Sequence, residues 1–170
     1  ELFGLAQAIE AQLDRATQGL DRRIATSVTD ATDSILDRMD DRIRLSVFRI
    51  VQEAVTNAIK HSACGAINVT LARKGDVIEL TVANDGRVPA EGWRRSNGGV
   101  DNIRARADLI GAAIAFDRDQ DGAGSRTVLR IPVKAVGQDD VERPVAAVPV
   151  SVPVDRSTGP VSADLPVREG

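Results

Sequence analysis

The chain has 170 residues, 42% of them hydrophobic and 28% charged, with a formal net charge of -3. That is room for one domain of roughly 130 residues, large enough to bury a core without staples, plus about forty residues of tail or linker. Acids and bases are interspersed and aromatics reach only 2%, which excludes a general phosphate-backbone binder and an aromatic stacking surface, so no nucleic-acid partner is expected. A single cysteine, Cys64, rules out an internal disulfide and a multi-cysteine zinc site; it reads as a small packing residue in a reducing compartment. No apolar run is long enough to span a bilayer and no signal-peptide pattern opens the chain, so a cytoplasmic location is expected. Because Glu1 already lies in a helical pattern, the chain reads as a piece of a longer protein whose remainder could carry a membrane anchor.

Leu5, Ile9, Leu13, Ala16 and Leu20 fall on one face of a first amphipathic helix. "RRIATSV" (Arg22 to Val28) alternates and predicts a short strand, ended by the polar run from Thr29 to Ser34. A long helix follows from about Asp40 to His61, with the stripe Val47, Ile50, Val51, Val55, Ala58 and Ile59; Gly65 is its expected stop. "AINVTLAR" (Ala66 to Arg73) and "DVIELTVAN" (Asp76 to Asn84) alternate with period two, joined by Lys74-Gly75 as a hairpin. Asp85 to Asn97 has no period, two glycines and a proline, and reads as a mobile loop. "VDNIRARADLIG" (Val100 to Gly111) predicts another helix with Ile103, Ala107 and Ile110 inward. Two last strands, Ala113 to Asp117 and Ser125 to Val133, flank the turn "RDQDGAG".

Residues 135–170, rich in Pro, Val, Ser and Ala, read as an extended or disordered tail. Residues 1–39 read as a helix and strand leading in, and 40–134 as the core of the domain. Helices interleaved with mostly antiparallel strands imply an α+β, two-layer sandwich with the helices on one face of the sheet.

Within the long helix, Glu53, Asn57 and His61 sit four apart, in a row separate from the apolar stripe. Singly, such features are ordinary: an acid and an amide at this spacing often mark a solvated helix face, a "DG" a turn, and a "GG" a helix cap. Their order along the chain is more specific. The helix carries E-x-x-x-N-A-x-K-H; then come a hairpin, a strand ending N-D-G, a glycine-bearing loop, G-G opening a helix, and G-x-G-S leading into a strand. Physically these are the parts of a nucleotide site. Asn57 offers an amide oxygen to a hard cation such as Mg2+. Glu53, one turn earlier, can order a metal-bound water or act as a base. Lys60 and His61 can reach phosphate oxygens, and Gly98 and Gly99 leave backbone amides at a helix N-terminus, where anions are favoured.

"FRIVQEAVTNAIKH", "VANDG", "NGGVDNIRARADLIGA" and "GAGSRTVLRIP" resemble, in order, the N-box, G1, G2 and G3 segments of the ATP-binding domain of bacterial sensor histidine kinases, within the wider gyrase, Hsp90, histidine-kinase and MutL ATPase superfamily. The wording is closest to the nitrate-sensor type, and the resemblance covers about Leu5 to Val133. It implies the Bergerat-type ATP-binding fold, with ATP and Mg2+ as ligands. On that resemblance Asn57 is the Mg2+ ligand and Glu53 the carboxylate beside it. Asn84 stands at the adenine-reading position, with Asp85 next and Gly86 two residues on. Gly99 and Val100 match the glycine-leucine pair of the phosphate-covering helix, and Gly124 with Ser125 the glycine-threonine pair near the adenine end.

Two positions depart from the pattern: Asn84 replaces the usual aspartate, and Val88, followed by Pro89, replaces the second G1 glycine. An asparagine oxygen accepts a hydrogen bond without the charge, a loss of roughly 1–2 kcal/mol, or about tenfold in affinity. A phosphoacceptor is missing as well, since the one histidine, His61, lies in the N-box helix. The resemblance therefore implies a catalytic module that would phosphorylate a histidine on a dimerisation domain outside this chain, with a response regulator as indirect partner. A serine kinase of the anti-sigma-factor type and a degenerate nucleotide pocket serving as a partner-binding module are the competing readings.

Overall fold

The computed structural model describes residues 4–87, 98–118 and 123–133. In chain order they form α1 (Leu5–Thr17), β1 (Ala25–Ala31), a 3-10 turn (Ile35–Arg38), α2 (Asp41–His61), β2 (Ala66–Lys74), β3 (Val77–Asn84), α3 (Gly99–Leu109), β4 (Ala113–Arg118) and β5 (Ser125–Pro132). The strands make one five-stranded sheet of order β1-β2-β3-β5-β4. β1 runs parallel to β2, and the other neighbours are antiparallel. The helices form a single layer, α1 against β1, α2 over β3 and α3 against β4, with α2 in the middle touching both others. This is the expected two-layer α+β sandwich.

Alternation along the strands decides which face is covered. Ile67, Val69 and Leu71 of β2, Ile78, Leu80 and Val82 of β3, and Leu129 and Ile131 of β5 are buried, while Asn68 and Thr70 between them are exposed. Onto that face α2 presses Val47, Ile50, Val51, Ala54, Val55 and Ala58, and α1 adds Leu5, Ile9 and Leu13 to the same core. Each buried Val, Leu or Ile among them contributes about 1.5–3 kcal/mol by leaving water. On the opposite, open face Glu79 takes Lys74 on one oxygen (2.6 Å) and Arg130 on the other (3.0 Å). Those two cations hold its carboxyl below the usual glutamate range, the lysine contributing most.

Several boundaries differ from the sequence expectation, each for a local reason. β1 starts three residues late and runs to Ala31. The Arg22 guanidinium is drawn to the Ile59 carbonyl in the last turn of α2 (2.7 Å), and the ladder opens with the Ala25 amide on the Gly65 carbonyl. Because β1 is an edge strand, its polar residues stay in water at no cost. α1 ends at Thr17, so Leu20 lies beyond it, 37% exposed. The 3-10 turn is too short to show a period, yet Leu36 and Met39 anchor it in the core.

Asp40 caps α2 from outside, accepting the Arg42 amide at 2.7 Å, and that bond holds its carboxyl below the usual range. The stop of α2 is Ala63, at φ 48, and not Gly65. Buried Ser62 and Cys64 flank it; the Ser62 hydroxyl donates to the Ala58 carbonyl (2.5 Å) and the Cys64 thiol reaches the same oxygen (3.6 Å), which pins the left-handed residue between them. The lone thiol is thus a packing group, as its position in the sequence suggested.

Candidate nucleotide-binding site

Three glycine or asparagine contacts build the site. Gly98, in the left-handed region at φ 79, caps α3 and turns the chain so that Gly99 enters against α2. A Cβ on Gly99 would lie 2.6 Å from the Glu53 carboxylate and 3.3 Å from both amide atoms of Asn57. The α3 N-terminus therefore sits directly over the two polar residues of α2, which is where the partial positive end of a helix attracts anions. Glu53 and Asn57 are half-buried, and neither side chain has a hydrogen-bond partner among the described residues. With no bond to the protein among the described residues, the Glu53 and Asn57 side chains are free to meet a ligand at that helix N-terminus.

At the far end of β3, Asn84 faces Ser125, its register partner on β5. Its amide nitrogen donates to the Ser125 hydroxyl (2.8 Å) while its amide oxygen accepts the Gly86 backbone amide (3.1 Å). Gly86 itself lies against the end of α2: a Cβ there would meet the Ser62 carbonyl oxygen at 2.1 Å. Gly124 and Ser125 are buried beside it. Asp85 points the other way, and one of its oxygens accepts both the Gly65 and Ala66 amides at 2.8 Å, tying the start of β2 to the end of β3. That clasp was not visible in the sequence, where Asp85 reads as a candidate ligand contact.

Thus Glu53, Asn57 and Gly99 are brought together, with Val100 buried behind them in the first turn of α3, and Asn84, Gly86 and Ser125 form a second group. Lys60 and His61 are exposed in the last turn of α2 without a hydrogen bond or ion pair among the described residues. The expected mobile loop, with Val88 and Pro89, falls from residue 88 to 97 outside the described residues. Among the described residues no three acids, histidines or cysteines gather as a metal cage, and no helix is long and apolar enough to cross a membrane. Two clefts, of about 360 Å³ and 240 Å³, open beside α1 and β1, away from this site. The larger gathers Asp30, Asp33 and Asp37, but Asp30 is spent on Thr32 and Asp37 caps the α1 N-terminus through the Leu5 amide.

A five-stranded mixed sheet under one helical layer, with glycine-tightened polar residues at the helix ends, is the Bergerat-type ATPase architecture. The family model of histidine kinase-, DNA gyrase B- and HSP90-like ATPases matches residues 41–135, and the chain belongs to that family. Membership in an ATPase family implies ATP binding. An uncharacterized sensor-like histidine kinase of Chloroflexus aurantiacus is 30% identical over 142 residues, covering 79% of this chain and 23% of that protein. Sensor histidine kinase LiaS of Bacillus subtilis is 29% identical over 98 residues, covering 57% of this chain and 27% of that one. The chain spans about a quarter of the length of the curated relatives it matches. Among solved structures, the blue-light activated histidine kinase of Erythrobacter litoralis EL346 aligns with a TM-score of 0.62 at 23% identity, covering 76% of this chain and 40% of that one. The catalytic domain of histidine kinase ThkA aligns at 0.54 and 17%, covering 76% and 93%.

Proposed function

We propose that this domain is the catalytic module of a sensor histidine kinase in two-component signalling, passing the γ-phosphate of ATP to a histidine on a dimerisation domain outside this chain, and from there to a response regulator. The observation that carries the reading is the packing of Gly99 on Glu53 and Asn57, which sets an uncommitted carboxylate and amide under a helix N-terminus. Asn57 and Glu53 fit Mg2+: both offer hard oxygen donors, and one or two protein ligands suffice for an ion that keeps its waters and takes phosphate oxygens for the rest. When bound, that ion neutralises charge building on the β- and γ-phosphates.

The chain's own residues do the remaining work. The N-terminus of α3 at Gly98 and Gly99 faces the phosphates, Lys60 and His61 offer donors from the end of α2, and Asn84 with Gly86, Gly124 and Ser125 holds the base. Glu53 orders a water at the metal or receives the proton that the acceptor imidazole gives up. In the transfer the bond from the γ-phosphorus to the bridging oxygen breaks, a nitrogen–phosphorus bond forms, and ADP leaves. Truncating Asn57→Ala should abolish Mg2+-dependent ATP binding while the apo domain melts within a few degrees of the parent. Calorimetric titration with and without Mg2+ reads this directly, and an unchanged affinity refutes the assignment.

A further inference from the structure

Resting on the reading that a nucleotide base lies against Asn84, we infer that this pocket is permissive for 6-oxo purines, with Asn84 the residue that sets base preference. The orientation of the Asn84 amide is fixed from outside. Its oxygen is 3.1 Å from the Gly86 backbone N–H, and turning the group over would set two donors against each other. The amide nitrogen must then face the Ser125 hydroxyl oxygen, at 2.8 Å, so that oxygen accepts. Ser125 is only 2% exposed, and no other bond engages its hydroxyl among the described residues, so the hydroxyl proton is directed away from Asn84 without an acceptor among them. Asn84 uses one of two amide protons on Ser125 and one of two oxygen lone pairs on Gly86.

The edge offered to a base therefore carries two donors, an amide N–H and the serine O–H, and one acceptor, with no charge. A carboxylate at position 84 would offer acceptors alone, draw in the Ser125 proton, and repel a carbonyl oxygen at the purine 6-position. The neutral edge meets a 6-amino group through the Asn84 oxygen and a 6-carbonyl through the Asn84 nitrogen or the Ser125 hydroxyl. Discrimination that a carboxylate enforces by repulsion is absent here.

The test titrates the full 170-residue chain with Mg-ATP and Mg-ITP, the latter differing at the 6-position and in the proton it carries on N1, without an added 2-amino group. The parent should bind the two within about threefold of each other. Asn84→Asp keeps the bond to Gly86 and should tighten ATP and weaken ITP by about tenfold each, the size of one charge-assisted contact. Ser125→Ala removes one donor and should weaken ITP more than ATP. A parent that prefers ATP by more than about thirtyfold, or an Asn84→Asp ratio equal to the parent's, overturns the inference and leaves nucleotide binding standing. If a folded parent binds neither triphosphate, both the inference and the reading beneath it fall.

Discussion

Two glycines of the site touch α2 at different atoms, and alanine at each should separate folding from binding. At Gly86 the new Cβ would lie 2.1 Å from the Ser62 carbonyl oxygen and 2.7 Å from its carbon, well inside the 3.0 Å that real Cβ atoms observe. Those are backbone atoms at a buried helix end, so nothing can swing aside. Gly86→Ala should cost about 3 kcal/mol, the upper range for overpacking, and lower the melting temperature by about 12 °C at about 4 °C per kcal/mol for a domain of this size. At Gly99 the closest atom is Glu53 Oε1 at 2.6 Å, the free end of a flexible side chain. Glu53 can move, and alanine regains up to about 1 kcal/mol of helix propensity, so Gly99→Ala should melt within about 3 °C of the parent. Moving Glu53 should nonetheless raise the Kd for Mg-ATP about tenfold. Scanning calorimetry and titration of the same two samples give both numbers. A Gly86→Ala domain that melts like the parent refutes the close approach, and a Gly99→Ala domain with parental affinity refutes Glu53, Asn57 and α3 as one ligand surface.

Asp85→Ala should lose about 1–2 kcal/mol of stability, since two backbone amides lose their acceptor, while the Kd for ATP stays within about twofold; a melt and a titration check this. Glu79, with its depressed carboxyl, stabilises the fold above about pH 4.3 and ceases to as pH falls through its lower folded value. Glu79→Gln should therefore cost about 0.5–1 kcal/mol at neutral pH, its partners being about half or more exposed, and nothing once pH has fallen below its lowered folded value, read from urea melts across acidic and neutral pH. Ala63→Gly should stabilise by up to about 1 kcal/mol by relieving the left-handed alanine, measured as the shift in denaturation midpoint.

The order of elements and the two-layer architecture were legible because α2, β2, β3 and β5 carry strong periods that a single covered face imposes. β1's true span was not, because pairing with β2 rests on backbone groups and leaves polar edge residues no pattern to obey. Of the site, Glu53, Asn57 and Gly99 were legible by residue type and order, and the fold brings them within contact distance. The Asp85 clasp and the Ser62–Gly86 contact join residues nineteen or more positions apart through main-chain atoms, which no side-chain pattern reports. Likewise Ala63 carries a left-handed turn that composition assigns to glycine, because its neighbours on both sides are anchored.

The parallel strand β1 separates the piece that is recognised from the piece that folds. The family match begins at residue 41, yet β1 covers one edge of β2 over the register from Ala25–Ala66 to Ala31–Ala72, and Leu5, Ile9, Leu13 and Ile24 lie in the common core. A fragment trimmed to the matched region would keep every residue assigned to the nucleotide while baring a full strand edge and the apolar groove where α1 lay. Such an edge invites pairing with a second copy. A minimal expression fragment for this domain should therefore start at or before Gly4, and soluble yield against N-terminal truncation would trace the folding unit independently of any assay for ATP.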